Sequence, residues 1–154
     1  MKHTKGNLLN ALSEDAPIQC DYIAHVCNAQ GKYSAGLAKQ IRAAYPSAYK
    51  AYIDAYERYG SEGMLGKVIM AKYSPVLNMV AQRFYGRDGK RYLDYGYLLE
   101  CLLKVQLHFC SSGGKVGIPE YLGCGLAGGD WDVVQEIVQG VERVGDVEFI
   151  VYEM

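Results

Sequence analysis

The distribution of apolar and polar residues divides the chain into segments with two different periods. Short, nearly continuous apolar runs predict buried strands at 20–27, 64–73, 75–82, 115–122 and 147–154. Apolar positions three and four residues apart predict helices at 37–45, 92–109 and 131–141, and a further helix from Pro46 to just before Gly60. Strands that alternate with helices predict a layered α/β fold around a central sheet.

The helix that begins at Pro46 carries a stripe of tyrosines at steps of three and four residues. Its members are Tyr49, Tyr52, Tyr56 and Tyr59. Such spacing places all four side chains on one helix face. We expect this face to pack on the core with the hydroxyls at its edge, and a ligand platform is the less favoured alternative.

Two glycine-rich loops follow predicted strands and lead into predicted helices. The first covers residues 28–36, and the second, 123–130, reads GCGLAGGD before Trp131. Ligands of α/β proteins bind beyond the carboxyl ends of strands, where such loops lie. Glycine leaves backbone N–H groups accessible, and a helix N-terminus attracts anions, so the second loop is suited to a phosphate. The alternative is a tight turn in which Asp130 caps the helix and Trp131 packs.

Composition narrows the class of protein without identifying a function. The 154 residues are 50% hydrophobic and 21% charged, which predicts one globular domain over 1–154. The formal net charge of −1 argues against nucleic-acid and anionic-membrane partners. No apolar stretch has the length of a signal peptide or a membrane span, so we expect a cytoplasmic protein and, in addition, a monomer.

Other motifs with a known chemistry are missing from the sequence. The five cysteines form no CxxC pair and the three histidines are scattered, which argues against a disulfide framework and a metal site. No Gly-Lys pair precedes Ser or Thr as in a nucleotide-binding P-loop, and the glycine spacing differs from the dinucleotide-binding fingerprint. We therefore expect neither a metal nor a cofactor.

Two stretches carry a resemblance to a known family. They read IAHVCNAQGKYSAGLAKQIRAAYP (23–46) and IPEYLGCGLAGGDWDVV (118–134). Both resemble macrodomains, the ADP-ribose-binding family with a three-layer α/β/α fold and a central mixed sheet. The similarity is greatest to the branch that contains yeast and phage ADP-ribose-1''-phosphate phosphatases and the terminal ADP-ribose glycohydrolase. It extends over nearly the whole chain and implies that fold for this protein.

The resemblance implies a cleft that binds ADP-ribose or ADP-ribose 1''-phosphate. Asn7 and Leu8 would lie at the adenine end, with Asn7 where many macrodomains place an aspartate that accepts a bond from the adenine amino group. The distal ribose and diphosphate would be contacted by Asn28, Ser34, Ala35, Gly36 and Leu37. The diphosphate would be wrapped by Gly123, Cys124, Gly125, Leu126, Ala127, Gly128 and Gly129.

Departures from the family pattern direct the prediction of activity. Ala127 stands where the glycohydrolase branch has a catalytic aspartate. The position of that branch's catalytic lysine falls near Gln82 and Arg83, so a mechanism through a lysine adduct is disfavoured. A phosphatase needs a positioned water, a group for its proton and donors for the phosphoryl charge. Asp130 and His25 are the candidates for proton transfer. Asn28 and Gln82 are the candidates for positioning, and the basic residues of the 83–91 loop would add positive charge.

Each candidate has a structural alternative. Asp130 can be a plain helix cap, His25 a hydrogen-bonded residue near the core, and Asn28 the start of an Asx turn. Cys124 has no adjacent base, so nucleophilic catalysis by its thiol is disfavoured. The favoured function is a metal-independent hydrolase that removes the phosphate of ADP-ribose 1''-phosphate. The alternatives are a non-catalytic module that binds or sequesters ADP-ribose, and a hydrolase that removes acyl or ADP-ribosyl groups.

Overall fold

The computed structural model describes residues 1–109 and 113–154. Its strands are β1 (Lys2–Lys5), β2 (Tyr22–Asn28), β3 (Val68–Ile69), β4 (Val76–Gln82), β5 (Lys115–Pro119) and β6 (Glu148–Glu153). Its α-helices are α1 (Gly36–Ala44), α2 (Pro46–Met64), α3 (Tyr95–Lys104) and α4 (Trp131–Glu142). A 3-10 helix covers Leu8–Asn10, and α3 continues into a π-helical segment, Val105–Phe109.

The strands form one mixed sheet in the order β1-β6-β5-β2-β4-β3. Every neighbouring pair is parallel except β3 and β4, which are antiparallel. All seven residues of β4 are buried, as expected for a strand covered on both faces. One apolar core lies between the sheet and α3 and α4, and a second lies under α1 and α2. This arrangement confirms the predicted α/β/α fold with a central mixed sheet.

Three elements differ from the sequence prediction for identifiable reasons. The edge strand β1 was not predicted because its sequence, KHTK, has no apolar residue and is mostly exposed. The run 64–73 contributes only the two residues of β3, since Met64 still belongs to α2. Helix α2 continues beyond Gly60, whose φ of 70° interrupts the helical geometry. The tyrosine stripe of α2 also faces the core only partly, because Tyr52 is fully buried and Tyr59 is 46% exposed.

A β-bulge shapes the edge of the sheet where the strands end. Cys27 of β2 pairs with Val80, whereas the next residue, Asn28, pairs with Gln82, so Ala81 is an extra residue in β4. The carbonyl of Ala81 accepts the N–H of Asp94 at 2.8 Å. Asp94 in turn caps α3. The bulge therefore fixes where the loop after β4 returns to the sheet.

Cysteines and helix hydropathy complete the description of the fold. The four cysteines in the described ranges, Cys20, Cys27, Cys101 and Cys124, are free thiols, and Cys110 lies outside those ranges. Within residues 1–109 and 113–154, no helix is both long enough and apolar enough to cross a bilayer.

Candidate ligand-binding cleft

A cleft of about 570 Å³ opens beyond the carboxyl ends of β2, β4 and β5. Its volume is within the range of small-molecule sites, and its position is the one expected in an open α/β sheet. The loops that follow these three strands supply most of its lining. The cleft brings together many of the predicted residues: His25, Asn28, Ser34, Ala35, Gly36, Leu37, Gln82, Gly123, Gly125, Leu126 and Ala127.

Several predicted residues lie outside this lining. They are Asn7, Leu8, Cys124, Gly128, Gly129 and Asp130. The Asn7 side chain accepts the N–H of Leu9 at 3.0 Å and so caps the 3-10 helix, while Leu8 is fully buried. The Cys124 thiol donates to the Leu122 carbonyl at 3.3 Å, and burial raises its pKa to about 11. A protonated thiol of this kind is a poor nucleophile.

The two helices that follow the glycine-rich loops begin differently. The N-terminus of α1 has no side-chain cap, and Ala35, Gly36 and Leu37 at its start line the cleft. The N-terminus of α4 is capped, because the Asp130 carboxylate accepts the N–H of Asp132 at 2.9 Å. Unpaired N–H groups and the positive end of the helix dipole favour an anion. Of these two helix starts, the one that is uncapped and lines the cleft is therefore that of α1.

The glycines of the second loop also divide into two kinds. A Cβ added to Gly125 would meet no atom within 4 Å, and Gly36 in the first loop is equally open. A Cβ on Gly128 would lie 2.5 Å from the Lys90 carbonyl oxygen, and one on Gly129 would lie 2.7 Å from the Gly123 carbonyl oxygen. Gly125 thus leaves room in the cleft. Gly128 and Gly129 allow the backbone to pack on neighbouring segments.

His25 belongs to a buried network of polar side chains. Its Nε2 lies 2.7 Å from Asn78 Oδ1 and 2.9 Å from the Tyr33 hydroxyl, which donates to the same Oδ1 at 2.7 Å. Asn78 Nδ2 donates to the Ala48 carbonyl at 3.1 Å, which fixes the amide orientation. An amide oxygen only accepts, so we assign the proton of the neutral imidazole to Nε2.

The environment of His25 favours its neutral form. The side chain is 2% exposed, and burial lowers its pKa to about 4, against a smaller opposing effect of the bond to Asn78. At neutral pH Nε2 is a donor that is already engaged in the network. His25 therefore has the geometry of its structural alternative, a hydrogen-bonded residue near the core, which was set against a role in proton transfer.

Asn28 makes the Asx turn that was the structural alternative for this residue. Its Oδ1 accepts the N–H of Gln30 at 2.9 Å and the Tyr52 hydroxyl at 2.9 Å. Its Nδ2 donates to the Lys32 carbonyl at 2.9 Å. The side chain lines the cleft, but its hydrogen-bonding groups hold the first loop in place.

Gln82, the last residue of β4, and Arg87, in the loop that follows, both line the cleft. Gln82 is buried, and its Nε2 donates to the Phe84 carbonyl at 2.9 Å. Of the loop's basic residues, Arg87 lines the cleft, whereas Arg83 forms a two-bond ion pair with Glu62 outside it. Of the basic residues of the 83–91 loop that were predicted to add positive charge, Arg87 is therefore the one that lines the cleft.

Residue-level reasoning missed several lining residues. They include Lys32, Tyr33, Tyr85, Glu120, Tyr121 and Met154. Lys32 and Tyr33 lie within the first glycine-rich loop, so their place in the sequence was the available signal. Glu120 is the one acidic side chain among the described lining residues, and its backbone N–H donates to the Tyr152 carbonyl at 3.0 Å. No group of three or more His, Cys, Asp or Glu side chains in the described ranges is arranged to hold a metal ion.

Comparison with curated proteins identifies two groups of relatives. The ADP-ribose 1''-phosphate phosphatase of Saccharomyces cerevisiae is 37% identical over 68 residues, which are 44% of this chain and 35% of the yeast protein. The DNA ADP-ribosyl glycohydrolase of Thermus aquaticus is 26% identical over 161 residues, which are 99% of this chain and 41% of that protein. The chain thus covers less than half the length of either relative. No known family model matches it.

Comparison with solved structures gives the same fold. A protein of unknown function from Bacteroides thetaiotaomicron aligns with a TM-score of 0.82 and 25% identity over 99% of this chain and 97% of that one. The macrodomain of Thermus aquaticus DarG aligns with a TM-score of 0.74 and 24% identity over 99% and 97% of the two chains. Thermosipho africanus DarTG in complex with ADP-ribose aligns with a TM-score of 0.72 and 18% identity over 99% of this chain and 41% of that one.

Proposed function

We propose that this chain, which belongs to the macrodomain family, is a hydrolase of ADP-ribose derivatives with ADP-ribose 1''-phosphate as its preferred substrate. The observation that carries the proposal is the uncapped start of α1, which lines the same cleft as the open Gly125. An uncapped helix start beside an open backbone position is suited to a diphosphate. The proposed substrate is that of the yeast relative, whose match covers 44% of this chain and 35% of the yeast protein.

The order of the strands is the basis for the ligand orientation that we propose. From one end of the cleft to the other, the lining follows β6, β5, β2 and β4. With the diphosphate between the loops after β5 and β2, one end of the ligand lies near Met154 and the other near Gln82 and Arg87. The resemblance gives Asn7 the adenine, and Asn7 follows β1, the neighbour of β6. In the proposed orientation, adenosine would therefore lie at the Met154 end and the distal ribose at the β4 end.

In the proposed reaction, water attacks the phosphorus and the bond from phosphorus to the ribose 1'' oxygen breaks. The released oxygen retains the bonding electron pair and gains a proton, so the products are ADP-ribose and inorganic phosphate. Phosphoryl transfer of this kind depends mainly on positioning and on stabilisation of charge, with little demand for a strong base. Gln82 would position the phosphate or the water, and the cations at the β4 end would stabilise the charge.

A second candidate is a module that binds ADP-ribose derivatives without turnover. It is favoured by the state of the predicted proton-transfer groups: His25 Nε2 is engaged with Asn78, and the Asp130 carboxylate caps α4 outside the lining. Glu120, the acidic side chain in the described lining, follows β5, and its backbone N–H donates to β6. In the proposed orientation it would lie away from the terminal phosphate.

The decisive experiment measures binding and turnover with the same preparation. Calorimetry gives the affinity for ADP-ribose, and a phosphate-release assay gives the turnover of ADP-ribose 1''-phosphate. Release that is lost in Gly125→Glu but retained in Gly140→Ala supports the phosphatase, since Gly140 lies in α4 away from the cleft. Binding without release supports the binding module. An absence of binding overturns both, and removal of ADP-ribose from modified DNA would support the glycohydrolase alternative.

A further inference from the structure

We propose that Lys32 and Arg87 form a receptor for a terminal phosphate monoester at the β4 end of the cleft. This pair would make the site selective for ligands that carry a phosphate beyond the distal ribose. The inference rests on the proposed ligand and its orientation, and it adds the residues that would distinguish ADP-ribose 1''-phosphate from ADP-ribose. Both side chains belong to the cleft lining and follow the two strands nearest that end, β2 and β4.

Arg87 is the basic residue of the 83–91 loop that is available to a ligand. Arg83 donates to both carboxylate oxygens of Glu62, at 2.8 and 3.1 Å. Lys90 lies 3.9 Å from Asp88 Oδ2. Neither Arg83 nor Lys90 lines the cleft.

The guanidinium of Arg91, just beyond the loop's tip, is also engaged. Its Nη1 donates to the Leu93 carbonyl at 2.7 Å, and the group lies 4.6 Å from the centre of the Tyr95 ring. The Arg87 side chain, by contrast, makes no hydrogen bond or ion pair within the part of the chain that the structure describes. Arg87 thus differs from its basic neighbours both in position and in its lack of a partner.

Lys32 lines the cleft from the first loop, which follows β2, the neighbour of β4. Its backbone is held by Asn28, which bonds to the Lys32 carbonyl. The loop is fastened toward β4, because Gln30 Nε2 donates to the Arg83 carbonyl at 2.8 Å. The Lys32 ammonium has no bonding partner among the residues that the structure describes. The first loop therefore contributes an unpaired cation to the cleft that Arg87 also lines.

The charges along the cleft favour this assignment. A phosphate monoester carries a charge of about −1.5 to −2 at neutral pH and needs cationic donors more than a neutral ribose does. Lys32 and Arg87 follow β2 and β4, whereas Glu120 follows β5 and its backbone N–H donates to β6, so the cations and the acidic side chain follow different strands of the sheet. The diphosphate between them has the backbone groups of α1 and Gly125. Lys32 and Arg87 are therefore available to bind a further anionic group.

The test compares two ligands that differ by the terminal phosphate. Calorimetry with ADP-ribose and with ADP-ribose 1''-phosphate is performed on Lys32→Gln, Arg87→Gln and the double variant. We expect each single variant to weaken binding of the phosphorylated ligand roughly tenfold and the double variant about a hundredfold. Affinity for ADP-ribose should change by less than about twofold. The control is Lys72→Gln, which removes one positive charge before the amino end of β4 and outside the cleft.

The outcomes separate this inference from the proposed function. If the wild type binds neither ligand, the proposed function fails. If the wild type binds both and the variants weaken both equally, the cations serve the shared diphosphate, and the inference is overturned while the proposed function stands. Unchanged affinities in the double variant overturn it as well. All three lysine and arginine side chains are exposed, so the variants should retain the wild-type thermal stability, which is checked by Tm.

Discussion

The two glycine-rich loops of the cleft are held in place by different means. The first, residues 28–36, is fixed by side chains: Tyr52 donates to the Asn28 carbonyl at 2.7 Å and accepts the N–H of Gly31 at 3.1 Å. The second, residues 123–130, is fixed by backbone contacts, since the Ala127 carbonyl accepts two N–H groups, those of Tyr92 at 2.7 Å and Leu93 at 2.9 Å.

This difference determines which residues remain for a ligand. In the first loop the conspicuous polar side chains, those of His25 and Asn28, hold the protein together. In the second loop, Gly128 and Gly129 stabilise the structure because they allow the loop to pack closely on neighbouring backbone. What both loops leave open is a glycine beside the cleft, Gly36 in one and Gly125 in the other. The predictions below test this division between structural and available positions.

The largest effect is expected at Gly128. Its φ of 71° is unfavourable for alanine, and the added Cβ would lie 2.5 Å from the Lys90 carbonyl oxygen. Gly128→Ala should lower the free energy of unfolding by about 4 kcal/mol, as the sum of backbone strain and overpacking. Urea denaturation measures this change. Gly125→Ala is the matched control and should change stability by less than about 1 kcal/mol; equal losses in the two variants would contradict the division.

The second prediction concerns His25 in the first loop's supporting network. Its pKa is about 4 in the folded protein, against an ordinary value of 6.5, so the unfolded chain binds the proton more readily between these values. The free energy of unfolding should therefore fall as pH decreases from 6.5 to 4, by about 3 kcal/mol in total from this group.

Chemical denaturation at several pH values tests this prediction. His25→Gln should flatten the dependence between pH 6.5 and 4, because the titrating group is removed. His108→Gln, at an exposed histidine, should retain the wild-type slope. The same slope in His25→Gln and wild type would show that another group is responsible.

The third prediction concerns the open position of the second loop. Gly125 lines the cleft, and a Cβ added there meets no atom within 4 Å, so Gly125→Glu should bring a carboxylate into the cleft. Like charges brought together cost several kcal/mol, so affinity for ADP-ribose should fall about a hundredfold at an unchanged Tm. Calorimetry provides the affinity. Retained binding would place the diphosphate elsewhere.

The smallest effect is expected at Asp130. Loss of the α4 cap in Asp130→Ala should lower the free energy of unfolding by about 1 kcal/mol. Phosphate release should change less than about twofold, since Asp130 lies outside the described cleft lining. A large loss of turnover with a small loss of stability would instead support the catalytic role that the sequence suggested.

Sequence periodicity predicted the elements whose apolar faces are buried, such as β2 and α4. It missed β1, because an exposed edge strand requires no apolar residue. In the site, the two loops were predictable because glycine-rich segments after strands have a shared physical role. The division among their glycines was not, since it depends on contacts such as that of Gly128 with Lys90. Likewise, the partners of His25 include Asn78, which is 53 residues away in the chain.

The extra residue in β4 makes the cleft sensitive to chain length as well as to residue identity. Deletion of Ala81 would restore regular pairing with β2, and it would also remove the acceptor of the Asp94 N–H. The loop that carries Arg87 would then return to the sheet one position out of place. A larger side chain at Ala81 would overpack the core, since this residue is fully buried, but it would leave the backbone acceptor and the length of the chain unchanged. The count of residues between Val80 and Gln82 thus sets the position of the loop, independently of which side chain occupies the bulge.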